Sequence, residues 1–372
     1  MRIIITGGGT GGHLFPALAV AEQFVDRFTD AEVLFVGAGR YIDTQALQGR
    51  GFAGRTIRCG GLKGGTILSR LTAILSLPIG FLQSLAIIRR FKPDLVFGVG
   101  GYVTGPVLAA AKIMGVPACI HEQNSVPGMA NRQIGRFADR VFLSIPGSEG
   151  HFPRGKCTLT GNPVRREFLE MRAESDGKAE VDHDRPLTVL ILGGSLGAHY
   201  LNCVLPGAMA VVKKGVSRPI KVVHQTGRDD VAMVEASYRQ LGIDHTVKPF
   251  FNEMAALISQ ADLVVCRAGA TTLAELTVLR KPAILVPYPH AADDHQAMNG
   301  EFLVRGGAAK MFRQEDIDET QLAREIIFLL THPEKREEMS GNAGRLAKPE
   351  AAEFIVEQCV QLINRKDNGV GC

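Results

Sequence analysis

The first 24 residues, MRIIITGGGTGGHLFPALAVAEQF (residues 1–24), decide how the rest of the chain is interpreted. An apolar run is followed by a glycine-rich turn and then by apolar residues at helical spacing. One face of the predicted helix carries Leu14, Leu18, Ala21, Val25 and Phe28. This order predicts a buried strand, a tight loop and a helix, which together open a parallel βαβ unit.

The same pattern recurs along the chain. The first half contains the apolar runs RIIIT, EVLFVG, TIRC, DLVFGVG, PACIHE, RVFLS and KCTLT, and the second half contains LTVLILG, IKVVHQT, HTVKPF, DLVVCRA and AILVPY. Nearly continuous apolar runs are typical of strands buried on both faces of a parallel sheet. The start IIITGGGTGGHLFP is echoed by LILGGSLGAHYLN, so we expect an α/β protein with two doubly wound, Rossmann-like domains. The join is predicted near Pro163, giving domains of residues 1–163 and 164–345.

Charge and cysteine content indicate the kind of partner and the cellular compartment of the protein. The net charge is only +4, but eight basic and no acidic residues lie between Arg50 and Lys92, which predicts an anionic partner for the first domain. The seven cysteines form no C-x-x-C pair, and the first apolar run is too short for a signal peptide. We therefore expect reduced thiols and a cytoplasmic protein.

The first glycine loop matches G-x-G-x-x-G, but not the rest of a dinucleotide site. Such a site needs an acidic residue about 20 positions later, and here the second strand ends in Gly37, Ala38 and Gly39. The loop still offers backbone N–H groups at a helix N-terminus, which suits phosphate. His13 stands there, where the helix dipole disfavours the imidazolium, so we predict a neutral general base. The alternative is that His13 only caps the turn or packs.

Other predicted strands also end in glycine-rich or polar loops. Residues 98–106 (GVGGYVTGP) form a second candidate anion loop or a simple tight turn. In residues 121–128 (HEQNSVPG), Asn124 offers an amide that can read sugar hydroxyls. Residues 193–198 (GGSLGA) repeat the anion-loop pattern, with Ser195 as an additional donor. These loops indicate a ligand carrying phosphate and sugar groups.

Residues 266–276 (CRAGATTLAEL) carry a more specific signal. Thr271 and Thr272 would lie in a first helical turn that receives a diphosphate, and Glu275 would bind ribose hydroxyls. The alternative is a solvated acid that favours the helix dipole. In residues 286–300, adjacent Asp293, Asp294 and His295 diverge too much for a metal site, and we predict a nucleotide contact from Gln296 instead. We expect no metal ion and no nucleic acid as ligands.

The apolar, basic segment of residues 62–93 resembles a membrane-spanning segment at first sight. Its uninterrupted run is about 18 residues long and contains polar residues and Pro78, so spanning is disfavoured. We predict two helices bent near Pro78, which bind an anionic membrane surface or, alternatively, form a buried crossover. The predicted membrane contacts are Lys63, Arg70, Leu71, Leu75, Ile79, Phe81, Arg89 and Arg90.

Six motifs occur in a fixed order: TGGGTGGHLFP, GGYVTGP, HEQNSVPG, TGNPVR, GGSLGA and CRAGATTLAE. In that order they resemble the MurG-type N-acetylglucosaminyltransferases from residue 3 to about residue 310. The resemblance implies the GT-B fold, with two domains facing across a cleft and a last helix, near residues 346–364, that crosses back to the first domain. It implies an inverting transfer of N-acetylglucosamine from UDP-N-acetylglucosamine to lipid I, which produces lipid II for peptidoglycan synthesis.

The resemblance also implies site residues. Donor contacts would come from Thr10, Gly11, Gly12, Asn124, Arg165, Ser195, Phe251, Ala270, Thr271, Thr272, Leu273, Ala274, Glu275 and Gln296. The acceptor diphosphate would meet Gly9, Gly100, Gly101, Tyr102 and Thr104, with His13 as catalytic base and no cofactor. Leu196 departs from the family pattern, which usually has glutamine there.

The resemblance finally implies peripheral attachment to the cytoplasmic face of the bacterial inner membrane, with other cell-wall synthesis proteins as candidate partners. A UDP-sugar 2-epimerase, a galactolipid synthase and a nucleotide-binding sensor remain as alternatives.

Overall fold

The computed structural model describes residues 1–8, 11–39, 50–60, 67–176, 185–194 and 197–367. For residues 67–75, 175, 176, 366 and 367 it describes the backbone alone. The chain divides into two compact units, one of Met1–Arg165 with Pro349–Cys372 and one of Arg166–Lys348. The division falls two residues after Pro163, and the return to the first unit begins three residues after 346.

The first unit contains a seven-stranded parallel sheet in the order β3-β2-β1-β4-β5-β6-β7. Its strands are β1 (Arg2–Thr6), β2 (Glu32–Gly37), β3 (Ala53–Thr56), β4 (Leu95–Gly98), β5 (Ala118–Glu122), β6 (Arg140–Leu143) and β7 (Cys157–Leu159). Its helices are α1 (Gly11–Arg27), α2 (Ile67–Phe91), α3 (Thr104–Ile113) and α4 (Met129–Ile134). The last helix of the chain also belongs to this unit.

The strand order reverses between β1 and β4, which pair directly with each other. In open parallel sheets this reversal opens a crevice at the carboxyl ends of the strands, and ligands bind there. The loops that follow β1 and β4 are the first two glycine-rich loops of the sequence. The topology therefore places both loops at the ligand-binding edge of the first sheet.

Alternating residues of β1 fill two apolar layers. Ile3 and Ile5 pack on one face with α1, and Ile4 packs on the other with α2 and α3. The last helix of the chain, Ala351–Asp367, adds residues such as Ile355 to the layer that contains α1. The thiol of Cys119, on β5, is fully buried, and burial raises its pKa well above the ordinary value.

The second unit contains a six-stranded parallel sheet in the order β10-β9-β8-β11-β12-β13. Its strands are β8 (Leu187–Leu192), β9 (Ile220–Gln225), β10 (Asp244–Lys248), β11 (Leu263–Cys266), β12 (Ala283–Leu285) and β13 (Ala309–Met311). Its helices are α5 (Arg166–Asp176), α6 (His199–Gly215), α7 (Val231–Gln240), α8 (Met254–Gln260), α9 (Ala270–Val278), α10 (His295–Arg305), α11 (Glu319–Thr331) and α12 (Pro333–Leu346), and the last helix, of the first unit, is α13 (Ala351–Asp367).

The second sheet reverses its order between β8 and β11. Gly193 and Gly194 follow β8, and the turn before α9 follows β11, so both positions lie at the ligand-binding edge of their own sheet. On β11, burial raises the pKa of the Cys266 thiol to about 12.

Three predicted elements differ from the structure. The run TIRC was predicted as a strand, but β3 lies three residues earlier and is exposed along its whole length, as the edge strand of the sheet. Residues 67–91 form one helix with Pro78 inside it, not two helices. The strand β13 was missed because its three residues, AKM, are too few to show a period.

Candidate active site

The glycine loop after β1 packs backbone to backbone against the loop after β4. Gly7 has a φ of 137°, and a Cβ there would lie 2.7 Å from the carbonyl oxygen of Gly100. Gly101 has a φ of 84°, and its Cβ would lie 3.1 Å from the carbonyl oxygen of Gly8. Side chains at these positions would push the loops apart, so glycine keeps backbone groups of both loops at one place.

Of the residues predicted in the first loop, Gly9 and Thr10 lie outside the described part of the chain. The helix α1 begins at Gly11, and Gly12 and His13 follow in its first turn. A Cβ on Gly11 would lie 3.1 Å from the ring of Phe15. His13 is half-buried, so its imidazole is held by the protein and still reaches the surface.

The loop after β4 contains the predicted acceptor residues Gly100, Gly101, Tyr102 and Thr104. The Thr104 hydroxyl is fully buried and donates to the carbonyl oxygen of Gly100 at 2.8 Å. The hydroxyl therefore shapes the loop, and the predicted contact of Thr104 with the acceptor diphosphate stays a prediction. Tyr102 is half-buried, and its carbonyl oxygen accepts a bond from the Cys59 thiol at 3.3 Å.

The segment after β5 is organised by a buried carboxylate that the sequence analysis did not single out. Glu122 is 1% exposed. One of its oxygens accepts from the backbone N–H and the amide of Asn124, at 2.9 and 3.3 Å. The other accepts from the N–H of Gly128 and the amide of Asn131, at 3.1 and 2.9 Å. These four hydrogen bonds fix the segment after β5, so Glu122 holds Asn124 in place.

Asn131, on α4, is a further residue that sequence reasoning missed. Its amide nitrogen donates to the carbonyl oxygen of His121 and to Glu122, at 3.2 and 2.9 Å. Its buried amide oxygen has no hydrogen-bond partner among the described residues. That oxygen would lie 3.5 Å from a Cβ on Gly100. Asn131 thus brings a polar atom to the loop that also borders His13.

His13 makes its clearest contact with Gln123, the residue directly after β5. The Nδ1 atom of His13 lies 2.8 Å from Oε1 of Gln123. Gln123 is 2% exposed and touches the fully buried His121. Burial lowers the pKa of His121 to about 4, so that imidazole is neutral at physiological pH. The half-buried His13 is thus connected through Gln123 to the buried His121.

Arg165, predicted as a nucleotide contact, belongs to the first unit. Its guanidinium lies 4.4 Å from the ring centroid of Phe15, on α1. Cation–π stacking of this kind holds a positive charge in a fixed place. The structure therefore brings Arg165 to the first turns of α1, the helix that carries His13.

In the second unit, Gln225 holds the loop that follows β8. Its amide nitrogen donates to the carbonyl oxygen of Gly194 at 3.1 Å, and its amide oxygen accepts from the backbone N–H of Phe251 at 3.1 Å. The predicted contact Phe251 is therefore tied to this loop, but its side chain is buried and offers little ring surface to a base. Ser195 and Leu196 lie outside the described residues.

The turn before α9 has the features predicted for a diphosphate site. Gly269, the N-cap residue, has extended backbone and makes no side-chain cap hydrogen bond, so the helix begins without a side-chain N-cap. Thr271, Thr272 and Ala274 are half-buried, whereas Ala270 and Leu273 are buried. Glu275 is 5% exposed, which excludes the alternative of a solvated first-turn acid.

Two polar residues fix the neighbouring loop after β12. The amide oxygen of Gln296 accepts from the backbone N–H of Tyr288 at 2.9 Å, which leaves its NH₂ group on the outer side. Arg267, which sequence reasoning missed, donates to the carbonyl oxygens of Val286 and Pro287, both at 3.0 Å. The ends of β11 and β12 are thereby joined at the ligand-binding edge.

Within the described ranges, no group of three or more His, Cys, Asp or Glu side chains is placed to hold a metal ion. Asp293 and Asp294, rejected as metal ligands from the sequence, adopt left-handed backbone with φ of 54° and 53°. Asp294 pairs with Arg313 at 2.7 Å.

The helix α2 has one packed face and one exposed face. On the packed face, Gln83 accepts from the backbone N–H of Arg58 at 2.7 Å, and a Cβ on Gly80 would meet the carbonyl oxygen of Arg58 at 2.7 Å. The exposed face carries Ile79, Leu82, Ala86, Arg89 and Arg90.

Two of the predicted membrane contacts on α2 have different outcomes. Ile79 is 45% exposed, as predicted, whereas Phe81 packs partly on the apolar layer beneath the helix. Leu82, at 64% exposure, is a second apolar residue of the exposed face, and the membrane contact of Phe81 stays a prediction. Lys63 lies outside the described residues, as do the side chains of Arg70, Leu71 and Leu75. No helix in the described part of the chain is long and apolar enough to cross a membrane.

Comparisons with known proteins agree with this architecture. The model of the glycosyltransferase family 28 N-terminal domain matches residues 3–143, and that of the family 28 C-terminal domain matches residues 188–355. A protein of Desulfotalea psychrophila, named UDP-N-acetylglucosamine–N-acetylmuramyl-(pentapeptide) pyrophosphoryl-undecaprenol N-acetylglucosamine transferase, is 50% identical over 98% of both chains. A protein of Myxococcus xanthus with the same name is 44% identical over 98% of this chain and 93% of its own.

Solved structures give the same result. The crystal structure of Acinetobacter baumannii MurG is 31% identical, with a TM-score of 0.76 over 97% of this chain and 99% of that one. A UDP-GlcNAc 2-epimerase from Neisseria meningitidis, at 15% identity and a TM-score of 0.69 over 97% of this chain and 100% of its own, shares the fold alone. The resemblance drawn from the six motifs is confirmed: the protein belongs to glycosyltransferase family 28 and has the two-domain GT-B fold.

Proposed function

We propose that this chain catalyses the reaction that its relatives' names describe. It transfers N-acetylglucosamine from UDP-N-acetylglucosamine to the muramoyl sugar of pentapeptide-bearing pyrophosphoryl-undecaprenol and produces lipid II. The observation that carries the proposal is the match of 42–50% identity to enzymes of that name over at least 97% of this chain. The anion-binding loops at both sheet reversals fit a reaction in which both substrates carry a diphosphate.

The second unit is proposed to bind the donor. The uncapped N-terminus of α9 receives the diphosphate, and the NH₂ group of Gln296 donates to the nucleotide. Glu275, in the second turn of α9, accepts hydrogen bonds from the ribose hydroxyls. The backbone near Phe251, joined to Gly194 through Gln225, borders the base.

The first unit is proposed to bind the acceptor and to supply the base. The loops containing Gly9 and Gly100 approach the acceptor diphosphate with backbone N–H groups. His13 takes the proton of the muramoyl 4-hydroxyl as that oxygen attacks the anomeric carbon, and UDP leaves from the opposite face with inversion. Positive helix ends and Arg165 stabilise the charge that develops on the leaving diphosphate, and the proposal includes no metal ion or other cofactor.

The reaction is tested by mixing radiolabelled UDP-N-acetylglucosamine with lipid I and following label in the lipid fraction. We expect label transfer that depends on lipid I. An incubation without lipid I is the control, because a 2-epimerase would convert the donor on its own. Epimerisation of the donor, or binding of the donor without transfer to lipid I, would overturn the proposal.

We also propose that α2 attaches the enzyme to a membrane as a peripheral protein. Its exposed face has Ile79 and Leu82 in one turn and Arg89 and Arg90 at its C-terminal end. Exposed apolar side chains beside arginines favour the interface of an anionic bilayer, where each basic residue contributes about 1 kcal/mol. Because the donor is a nucleotide sugar and the sequence contains no C-x-x-C pair, we assign the cytoplasmic face of the inner membrane, where other cell-wall synthesis proteins are candidate partners.

Vesicle binding tests this attachment. The double variant Arg89→Glu/Arg90→Glu is expected to lose binding to vesicles that contain anionic lipid, and wild-type binding is expected to weaken as salt rises. The exposed Arg239→Glu/Arg305→Glu variant of the second unit is the matched control. Equal vesicle binding by both variants would reduce α2 to a structural crossover.

A further inference from the structure

Gln123 is held so that its two amide atoms cannot be exchanged. Its nitrogen lies 3.1 Å from the carbonyl oxygen of Val99 and 3.3 Å from that of His121. Carbonyl oxygens only accept hydrogen bonds, so the NH₂ group must lie on this side. The amide oxygen therefore faces Nδ1 of His13, 2.8 Å away.

The neighbouring His121 supports the same orientation. Its Nε2 atom lies 3.2 Å from the carbonyl oxygen of Gly161, so Nε2 carries the proton. Because His121 is neutral, its Nδ1 atom has a free lone pair, and this atom lies 3.1 Å from the nitrogen of Gln123. The amide of Gln123 thus donates to His121, and the hydrogen-bond directions agree along the whole chain.

The oxygen of Gln123 can only accept, so Nδ1 of His13 must carry a proton. In the neutral imidazole the other nitrogen, Nε2, then has the lone pair. An imidazole in water favours the opposite tautomer, with the proton on Nε2, so the protein reverses the ordinary preference. The Cε1 atom between the two nitrogens would lie 3.3 Å from a Cβ on Gly100, which bounds the ring on the side of the glycine loop.

We propose that Gln123 is a positioning residue that fixes the tautomer and the ring orientation of His13, so that Nε2 is the nitrogen that accepts a proton. Its effect on turnover rests on the proposed role of His13, whereas the tautomer itself does not. An amide suits this task because it orients the ring without adding a negative charge beside it. A carboxylate in the same place would stabilise the imidazolium and reduce the neutral fraction.

The tautomer is tested by ¹H–¹⁵N NMR of protein labelled at its histidines, with the His13 signals assigned from the His13→Gln variant. We expect a protonated Nδ1 and an unprotonated Nε2 in the wild type. In Gln123→Leu, which keeps the volume but removes the acceptor, the proton is expected to move to Nε2. Gln133→Leu, an exposed glutamine on α4, is the matched control and should leave the His13 signals unchanged.

Kinetics then separate this proposal from the proposed role of His13. Gln123→Leu should lower kcat about 10- to 100-fold, as loss of an orienting partner does elsewhere, with UDP affinity unchanged. If the tautomer moves as expected but neither Gln123→Leu nor His13→Gln changes kcat, the positioning stands and the general base lies elsewhere. If the wild type already carries its proton on Nε2, or Gln123→Leu leaves the tautomer unchanged, the proposal for Gln123 is overturned.

Discussion

Both units contain a fully buried histidine joined to a side-chain amide, and the two arrangements end differently. In the first unit, His121 on β5 contacts Gln123, whose oxygen faces His13. In the second unit, His224 on β9 lies 3.0 Å from the amide oxygen of Asn202. The Asn202 nitrogen donates to Asp230 at 2.7 Å. Burial keeps both histidines neutral, with the pKa of His224 lowered to about 3.

The two hydrogen-bond networks differ in the group at which each one ends. The first network ends on the half-buried imidazole of His13, which lies beside the glycine loops and is the proposed general base. The second network ends on the carboxylate of Asp230, which also pairs with the exposed His199 at 3.0 Å, and the Asn202 amide donates to the carbonyl oxygen of Thr226. A buried histidine and an amide therefore orient the proposed base in one unit and fix loops in the other.

The largest effect is expected from replacing His13, the proposed general base. General base catalysis contributes about 10²–10⁴-fold, so His13→Ala and His13→Gln should both lower turnover by that order. UDP affinity should stay near the wild-type value, because most of the proposed nucleotide contacts lie in the second unit. Steady-state rates and UDP titration measure both quantities.

Two results would contradict this assignment. If His13→Gln turns over nearly as fast as wild type, then hydrogen bonding and not proton transfer is what His13 provides. If both variants are inactive and also fail to bind UDP, His13 is structural. His151→Gln, an exposed histidine of the same unit, controls for nonspecific effects of the exchange.

The second-largest effect is expected in the second unit, where loss of a proposed contact with the nucleotide should change the affinity for UDP. Glu275→Ala removes charge-assisted hydrogen bonds to ribose, worth about 1.5–3 kcal/mol each, and should weaken UDP binding by about 10- to 150-fold. Turnover at saturating donor should fall much less. Isothermal titration with UDP measures the affinity.

Because Glu275 is buried, Glu275→Gln serves as a second variant that keeps the volume, and circular dichroism checks the fold of both. Glu301→Ala, a half-buried acid on α10 that pairs with Arg305, is the control. Unchanged UDP affinity in both Glu275 variants would remove the ribose assignment.

The smallest effect concerns acid stability, where the two buried histidines should behave alike. Each has a folded pKa below its unfolded value of about 6.5, so the unfolded chain binds more protons as pH falls. The free energy of unfolding should therefore decrease below about pH 6.5, by at most about 1.4 kcal/mol per pH unit for each histidine. The decrease extends to about pH 4 for His121 and to about pH 3 for His224.

Denaturant unfolding between pH 7 and pH 4 tests this expectation. His121→Gln and His224→Gln should each reduce the pH dependence of unfolding, even where they lower the stability at pH 7. His151→Gln should leave the slope unchanged. A slope that neither buried variant alters would assign the acid sensitivity to other groups.

The fold and the positions of its loops follow from local sequence, because a parallel strand is an apolar run and a tight loop requires glycine. The GGSLGA loop, the uncapped turn before α9 and the carboxylate of Glu275 could all be named before the structure was known. The strand β3 was misplaced because an exposed edge strand has no buried face and so shows no hydrophobic pattern.

The residues that orient the site could not be named, because their partners are distant in the sequence. Gln123 meets a histidine 110 residues earlier, and Gln225 meets Phe251 26 residues later. Phe81 was assigned to the membrane from its residue type, whereas its packing depends on which side of α2 it occupies. Topology brings such pairs together, and no local pattern encodes them.

The buried thiols of the two sheets make the opening of each unit measurable. The thiolate is the nucleophile that attacks a thiol-directed reagent, so Cys119 and Cys266 should resist labelling until their strands leave the sheet, whereas the exposed Cys203 should react at once. Cys119 reports on the first unit and Cys266 on the second. Added UDP should therefore slow the labelling of Cys266 selectively. The labelling rates of the two cysteines then report separately on the unfolding of the unit proposed to bind the acceptor and of the unit proposed to bind the donor.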